Sequence, residues 1–437
     1  MQAFFIVLLI FFSTNLFSKE PINLKAVFRI KQEALEKSQV MDHIFYLVEV
    51  HGPRLTNSPG FRGAAKWVVS RLHDWGLDNA HMEEWGPYGQ GWSCSRFSAH
   101  LIEPQYESLI GVPLTWSPST PGVIEGIPII APFSRNSKRP RSLTAASVDR
   151  YIQKYKGKLA GQIVLFANLK EIKGHEVPFF TRFSEEDLKK KSIAPIPRDL
   201  KLNSKNHISG KPPIDHSRAH RNRTQQNRLN KFFQKEGVKL LVTPAWRGDG
   251  GTVFPRQMGS RDPSHPLPPP SIALTPEHYN RILRLTIREI PVRLEVEIKT
   301  HFYKENENSF NVIADLPGTN KANELVIIGA HLDSVGLGLG ATDNAAGSAV
   351  MMEVIRILRN LNLSLDRTVR LALWGGEEQG LLGSRAYIEK HFANLETMDL
   401  KEGHRNLSAY YNLDNGTGKI RGIYLQKNEM VRPIFSS

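Results

Sequence analysis

The chain has 437 residues, 40% of them hydrophobic, and a formal net charge of +14 at pH 7. That length gives room for about two to three domains and for a large core. Cys94 is the single cysteine, which excludes an intramolecular disulfide and a thiolate zinc cluster, and it reads as a buried structural residue.

Ala3 to Phe12 (AFFIVLLIFF) is an uncharged apolar run, followed by Ser13, Thr14, Asn15 and Ser18. It is far short of the ~20 apolar residues of a membrane span. Residues 1–18 are therefore expected to be a secretory signal peptide, with no transmembrane segment after its removal. Export of a chain without disulfides suits a bacterial envelope, so a secreted or periplasmic protein is expected. Phe61 to Trp75 places Ala65, Val68, Val69 and Leu72 at helical spacing, with Gly76 closing the helix. Asn79 to Trp85 reads as a strand.

Residues 120–290 change character. Short β-like runs, Ile127 to Ala131, Gln162 to Ala167 and Val238 to Val242, are separated by Pro and Gly. Pro128 restricts the first run to a sheet edge. Within this region, residues 181–240 hold 15 Lys/Arg against 6 Asp/Glu. Its central part, residues 201–228 (KLNSKNHISGKPPIDHSRAHRNRTQQNR), is polar and has no stacking aromatics among its cations. The stretch reads as a solvated basic loop over 181–235 rather than a nucleic-acid surface, with contact to an acidic envelope polymer or membrane as the sharper alternative.

From Asn311 onwards the texture is that of an α/β domain. Glu324 to Ala330 (ELVIIGA) and Thr368 to Trp374 (TVRLALW) are buried strands by their continuous apolar runs, and Ala345 to Leu361 and Leu382 to Phe392 are helices. The alternation predicts a mixed, mainly parallel sheet flanked by helices. The expected organisation is residues 19–118 as the N-terminal part of one domain, 119–295 as a β-rich insert and 296–437 as the remainder of the first domain.

The residues able to do chemistry cluster at strand ends. His331 and Asp333 follow the strand at 324–330. Asp343 lies in Ala341-Thr342-Asp343-Asn344-Ala345-Ala346-Gly347, ahead of a helix. Glu377 and Glu378 follow the strand at 368–374, and Asp414 follows Tyr410-Tyr411-Asn412-Leu413. Sites in open α/β sheets form at the carboxyl ends of strands. One His and five carboxylates are thereby directed to one crevice. So many like charges cannot all ionise in a small volume unless cations neutralise them. The all-N/O donor set suits zinc, with cobalt or manganese as substitutes.

His331-Leu332-Asp333-Ser334, the Asp343 segment, Gly376-Glu377-Glu378-Gln379-Gly380 and Asn412-Leu413-Asp414 resemble the motifs of the co-catalytic zinc exopeptidases typified by bacterial leucyl aminopeptidases and glutamate carboxypeptidases. Residues 46–110 resemble that family's N-terminal segment, and residues 120–290 resemble its inserted protease-associated domain. The stretch 181–230 departs from the pattern. The resemblance implies two zinc ions and a short peptide substrate. It implies His331 and Asp414 on one ion, Glu378 on the other and Asp343 bridging both. Asp333 would orient the His331 ring, and Glu377 would be the general base. The shared water, its pKa lowered towards ~7, would attack the peptide carbonyl.

The family also carries a later His on the second zinc, and no His follows His404 here. A C-terminally truncated peptidase domain is therefore expected, with the second metal site short of a ligand. Two other classes stay open: a receptor-like relative without turnover, and a single-zinc aminoacyl cyclotransferase. No nucleic-acid partner is expected, and a homodimer stays open as the assembly.

Overall fold

The computed structural model describes residues 22–133, 143–193 and 216–435, apart from residues 173, 177, 179, 180, 249, 415, 417 and 427. The apolar leader run and residues 194–215 of the basic stretch lie outside the described residues.

In chain order the first part comprises α1 (Leu24–Glu36), α2 (Val40–Phe45), α3 (Pro59–Asp74), β1 (His81–Trp85), β2 (Gly91–Glu103), β3 (Glu107–Ser108) and β4 (Gly111–Pro113). Next come β5 (Ile124–Gly126), β6 (Pro128–Ile130), α4 (Ala145–Tyr155), β7 (Ile163–Leu165), α5 (Glu185–Ser192), α6 (His216–Glu236), β8 (Leu240–Pro244), β9 (Ser271–Leu274) and α7 (Pro276–Ile287). The last part holds β10 (Arg293–Tyr303), β11 (Ser309–Leu316), β12 (Lys321–His331), α8 (Ala346–Asn360), β13 (Arg367–Trp374), α9 (Leu382–His391), α10 (Glu402–Asn406) and β14 (Leu407–Asn412).

The sheet that bears the candidate site runs β1-β11-β13-β12-β14. β12 lies parallel to β13 and β14, β11 is antiparallel to both of its neighbours, β13 and β1, and the sheet is therefore mixed as expected. Both faces are covered. Val312, Ala314, Ile328, Ala330, Leu371 and Leu373 pack against Phe61, Ala65, Val68 and Leu72 of α3 and Met352 and Ile355 of α8. Ile313, Ile327, Ala372 and Trp374 pack on the other side against Tyr387 of α9. Strand residues alternate between faces, and burial on both explains why β12 and β13 read as continuous apolar runs. The start of α3 is set locally: the Ser58 hydroxyl accepts from the Phe61 amide at 3.2 Å, and Pro59 occupies the first turn.

A second sheet runs β4-β9-β8-β7-β6, with the four strands from β6 to β9 mutually parallel and β6 at the edge, where Pro128 costs no ladder bond. Ile163, Leu165, Leu240 and Val242 face α7, while Val164 and Leu241 face α4 and α6. A third, antiparallel sheet, β3-β2-β10-β5, shares the first of those two cores.

The basic segment expected as a loop differs from that expectation in its described residues. It contains α5 and the 21-residue α6. Leu229, Phe232 and Phe233 are spaced to lie on one side of α6 and are buried in the core beside Tyr151 and Tyr155. Three apolar residues among many cations were enough to anchor a helix that composition alone reads as solvated.

Candidate functional site: a metal centre at three strand ends

Register brings the site together. β12 and β13 pair in parallel with His331 opposite Trp374, and β12 and β14 pair with Gly329 opposite Asn412. The loops carrying Asp333, Glu377, Glu378 and Asp414 therefore leave the same sheet edge side by side. Gly376, at φ +70°, turns the chain after β13 in a conformation that a side chain would strain.

All six sequence-predicted residues converge on this edge. His331, the last residue of β12, is buried. Its Nε2 lies 3.0 Å from Asp343 Oδ1, 3.1 Å from Asp414 Oδ1 and 4.0 Å from Glu377 Oε2. One imidazole N–H cannot serve two carboxylates. Donor atoms so placed could hold a shared cation. Two sets of three groups have donor atoms within 4.8 Å of one another, His331–Asp343–Asp414 and His331–Glu377–Glu378. The Asp343 side chain is 68% exposed, open towards solvent at the mouth of the site.

Glu378 supplies the sharpest test of whether a cation fits. Its Oε1 is buried without a hydrogen-bond partner. A buried unpaired carboxylate is costly. Burial, reinforced by the charges of Asp343 and Asp333, pushes its pKa up to about 8. Burial likewise raises Glu377, opposed by His331 and reinforced by Asp414, Asp333 and Asp343. For His331, burial opposes protonation, but hydrogen bonds to Asp333, Asp343 and Asp414 win and push its pKa up to about 12. The hydrogen bond to His331 holds Asp343 below its ordinary value despite partial burial. This set of charges asks for positive charge, and its N/O donors suit zinc.

Asp333 holds more than the expected ring contact. It is fully buried, and the closest partner of His331 Nδ1 is the Asp333 backbone oxygen at 2.9 Å, with the carboxylate at 3.5 Å. The carboxylate accepts instead from the Glu377 and Glu378 amides at 3.2 and 3.3 Å and from the Thr56 hydroxyl at 2.9 Å. It thus ties the end of β12 to the loop after β13.

Other positioning residues were not legible in sequence. Arg54 is fully buried and donates to the carbonyls of Leu332, Leu47, Leu339 and Gly340 at 2.6–2.9 Å. It pins the loop that runs from His331 towards Asp343. Burial lowers its pKa to about 10, against the opposing pull of Asp333. Asn344, in the motif but without an assigned role, accepts from the Gly347 amide at 3.0 Å and donates to Leu413 O at 2.8 Å. It links the Asp343 turn to the residue before Asp414. Ser348 donates to His331 O at 2.8 Å. The usable signal for Asn344 was its place beside a ligand candidate at a helix start. For Arg54 there was none, because nothing local marks an arginine as buried.

The mixed sheet is covered on both faces and carries acidic groups and a histidine at its strand ends, the arrangement the zinc exopeptidase resemblance leads one to expect. Residues 311–432 match the family model described as peptidase family M28. Carboxypeptidase Q of Mus musculus is 23% identical over 382 residues, covering 86% of this chain and 66% of that protein. Carboxypeptidase Q of Homo sapiens is 22% identical over 414 residues, covering 94% and 71%. The crystal structure of a peptidase M28 precursor from Shewanella amazonensis SB2B matches with a TM-score of 0.55 at 21% identity, covering 91% of this chain and 75% of that one. The chain spans about two thirds of the length of the mouse and rat carboxypeptidase Q proteins it matches.

Proposed function

We propose that the chain is a zinc-dependent exopeptidase acting on short peptides, with its site at the ends of β12, β13 and β14. The observation that carries this reading is the unpartnered buried Oε1 of Glu378, set beside a histidine whose Nε2 faces two carboxylates. The match of residues 311–432 to the peptidase family M28 model supports the reaction class. In this reading His331, Asp343 and Asp414 hold one ion, and Asp343 and Glu378 face a second. Bound zinc supplies an acidified water and an electrophile for the carbonyl oxygen. Glu377, 4.0 Å from His331 Nε2 and half-buried, accepts the proton of the attacking water and returns it to the leaving amine. Its raised pKa makes it the better base for that transfer. Asp333 keeps the two glutamates in register through their amides.

The leader run supports export, and residues 119–295 are taken as the protease-associated insert. Among the described residues no helix is long and apolar enough to cross a membrane. The test is a zinc titration of metal-free protein with dipeptide hydrolysis followed in parallel. Bound zinc and release of terminal residues are expected. No bound zinc, or cleavage only of peptides blocked at both ends, overturns the reading.

A further inference from the structure

The positive charge of the chain is segregated. Residues 119–295 hold 32 Lys/Arg against 15 Asp/Glu, while the remaining 260 residues hold 25 against 28. The part that bears the metal site is slightly acidic, and the insert alone is strongly basic.

The structure gives part of this charge a shape. α4 and α6 lie side by side on one face of the second sheet, joined by the Arg228–Asp149 ion pair and by Glu236 accepting from the Gly157 amide at 2.8 Å. Their inner sides bury Tyr151, Tyr155, Leu229, Phe232 and Phe233. The solvent side of this layer exposes Arg150, Lys154, Lys156, Lys158, Lys231 and Lys235. The two acids named are already engaged, Asp149 by Arg228 and Glu236 by the amides of Gly157 and Leu159. Cations placed near the C-termini of both helices are also favoured by the helix dipoles, which stabilises the layer without neutralising it.

We infer that the α4–α6 face is a docking surface for a linear acidic polysaccharide, which would hold the peptidase on an anionic matrix. Charge complementarity selects a polyanion, because four cations on the two helices and two just past the end of α4 attract repeated negative charge cooperatively. The chemistry of the face narrows the class. Among the described residues, 143–160 and 220–239 expose no large apolar side chain. A membrane-bound helix pair would need such anchors. Tyr151 and Tyr155 are buried, so no aromatic platform is offered for stacking bases. The apolar leader run, read as an export signal, further points to a carbohydrate rather than a nucleic acid as the polyanion encountered. This surface is independent of the metal centre, and its test does not use peptidase activity.

The test is fluorescence anisotropy of labelled polygalacturonate titrated with the full chain. Binding is expected to weaken about tenfold or more when salt rises from about 50 to about 200 mM. The triple variant Lys154→Glu, Lys231→Glu, Lys235→Glu is expected to lose at least about tenfold in affinity. A charge-matched control on the acidic part, Lys25→Glu, Lys66→Glu, Lys304→Glu, is expected to lose less than about twofold. Thermal melts check that both variants fold, and the corresponding Gln triple is measured if the Glu triple does not. Equal loss in the two sets overturns the surface assignment, as does absence of binding by the unmodified chain. Tighter binding to a short DNA duplex, or to phosphatidylcholine vesicles containing about a third phosphatidylserine, overturns the partner class.

Discussion

At the scale of single residues the site gathers carboxylates in unequal surroundings, from the fully buried Asp333 to the solvent-exposed Asp343. Glu377 and Glu378 are adjacent, yet their surroundings separate them: Glu378 is the more buried, with an unpartnered Oε1, and Glu377 faces His331 at 4.0 Å. Replacing Glu377 by Gln keeps the shape and removes the proposed base. Turnover is expected to fall by about 10²–10⁴-fold with zinc content unchanged, measured by steady-state hydrolysis alongside metal analysis. Unchanged turnover would remove Glu377 from its role. Glu378 gives a pH signature in metal-free protein. Its folded pKa, about 8, lies above the ordinary carboxylate value, so the folded state binds the proton more tightly than the unfolded one. That stabilisation is full below the unfolded value and is lost as pH rises through about 8. His331, with its pKa also raised, acts in the same direction at higher pH. The melting temperature of metal-free protein is therefore expected to fall between pH 5 and 8 more steeply than that of Glu378→Gln, and zinc should remove the difference. Parallel curves for the two proteins would contradict this account.

At the scale of elements, each ligand candidate is placed by a strand end and fixed by a neighbour from elsewhere in the chain. Which strands would deliver the residues was legible, because the apolar runs 324–330 and 368–374 stop just before His331 and Glu377. How the loops are locked was not. Asp333 grips amides 44 and 45 residues away, and Arg54 reaches carbonyls nearly 290 residues away. Such bonds leave no local periodicity. Gly347 shows the tolerance of this packing. A Cβ there would lie 2.3 Å from Asn344 Oδ1 and 2.4 Å from Leu413 O. Gly347→Ala is expected to cost about 1–3 kcal/mol and to weaken zinc binding by displacing the turn before Asp414, read by chemical denaturation and zinc titration. A variant that matches the parent in both would show that the Asn344–Leu413 link is dispensable.

At the scale of the whole molecule, the sheet that bears the candidate site and the second sheet have separate cores. The first gathers Phe61, Val312 and Leu371, the other Val164, Phe233 and Leu241. Phe233→Ala is expected to lose about 3–5 kcal/mol from the second core, seen as an early unfolding phase in urea, with zinc stoichiometry unchanged below that transition. Loss of zinc in step with that phase would instead make the two parts one cooperative unit. The sequence by itself determined the alternation of strands and helices in 311–414 and the identity of the six candidate residues, because apolar runs and acidic strand ends are local signals. It also located the excess of basic charge. Only the tertiary structure decided that the basic segment includes a buried-faced helix, that Asp333 organises two glutamate amides, and that Arg54 and Asn344 brace the site. Those outcomes come from contacts between residues far apart in the chain, where burial and hydrogen-bond partners are set by packing rather than by neighbours in sequence.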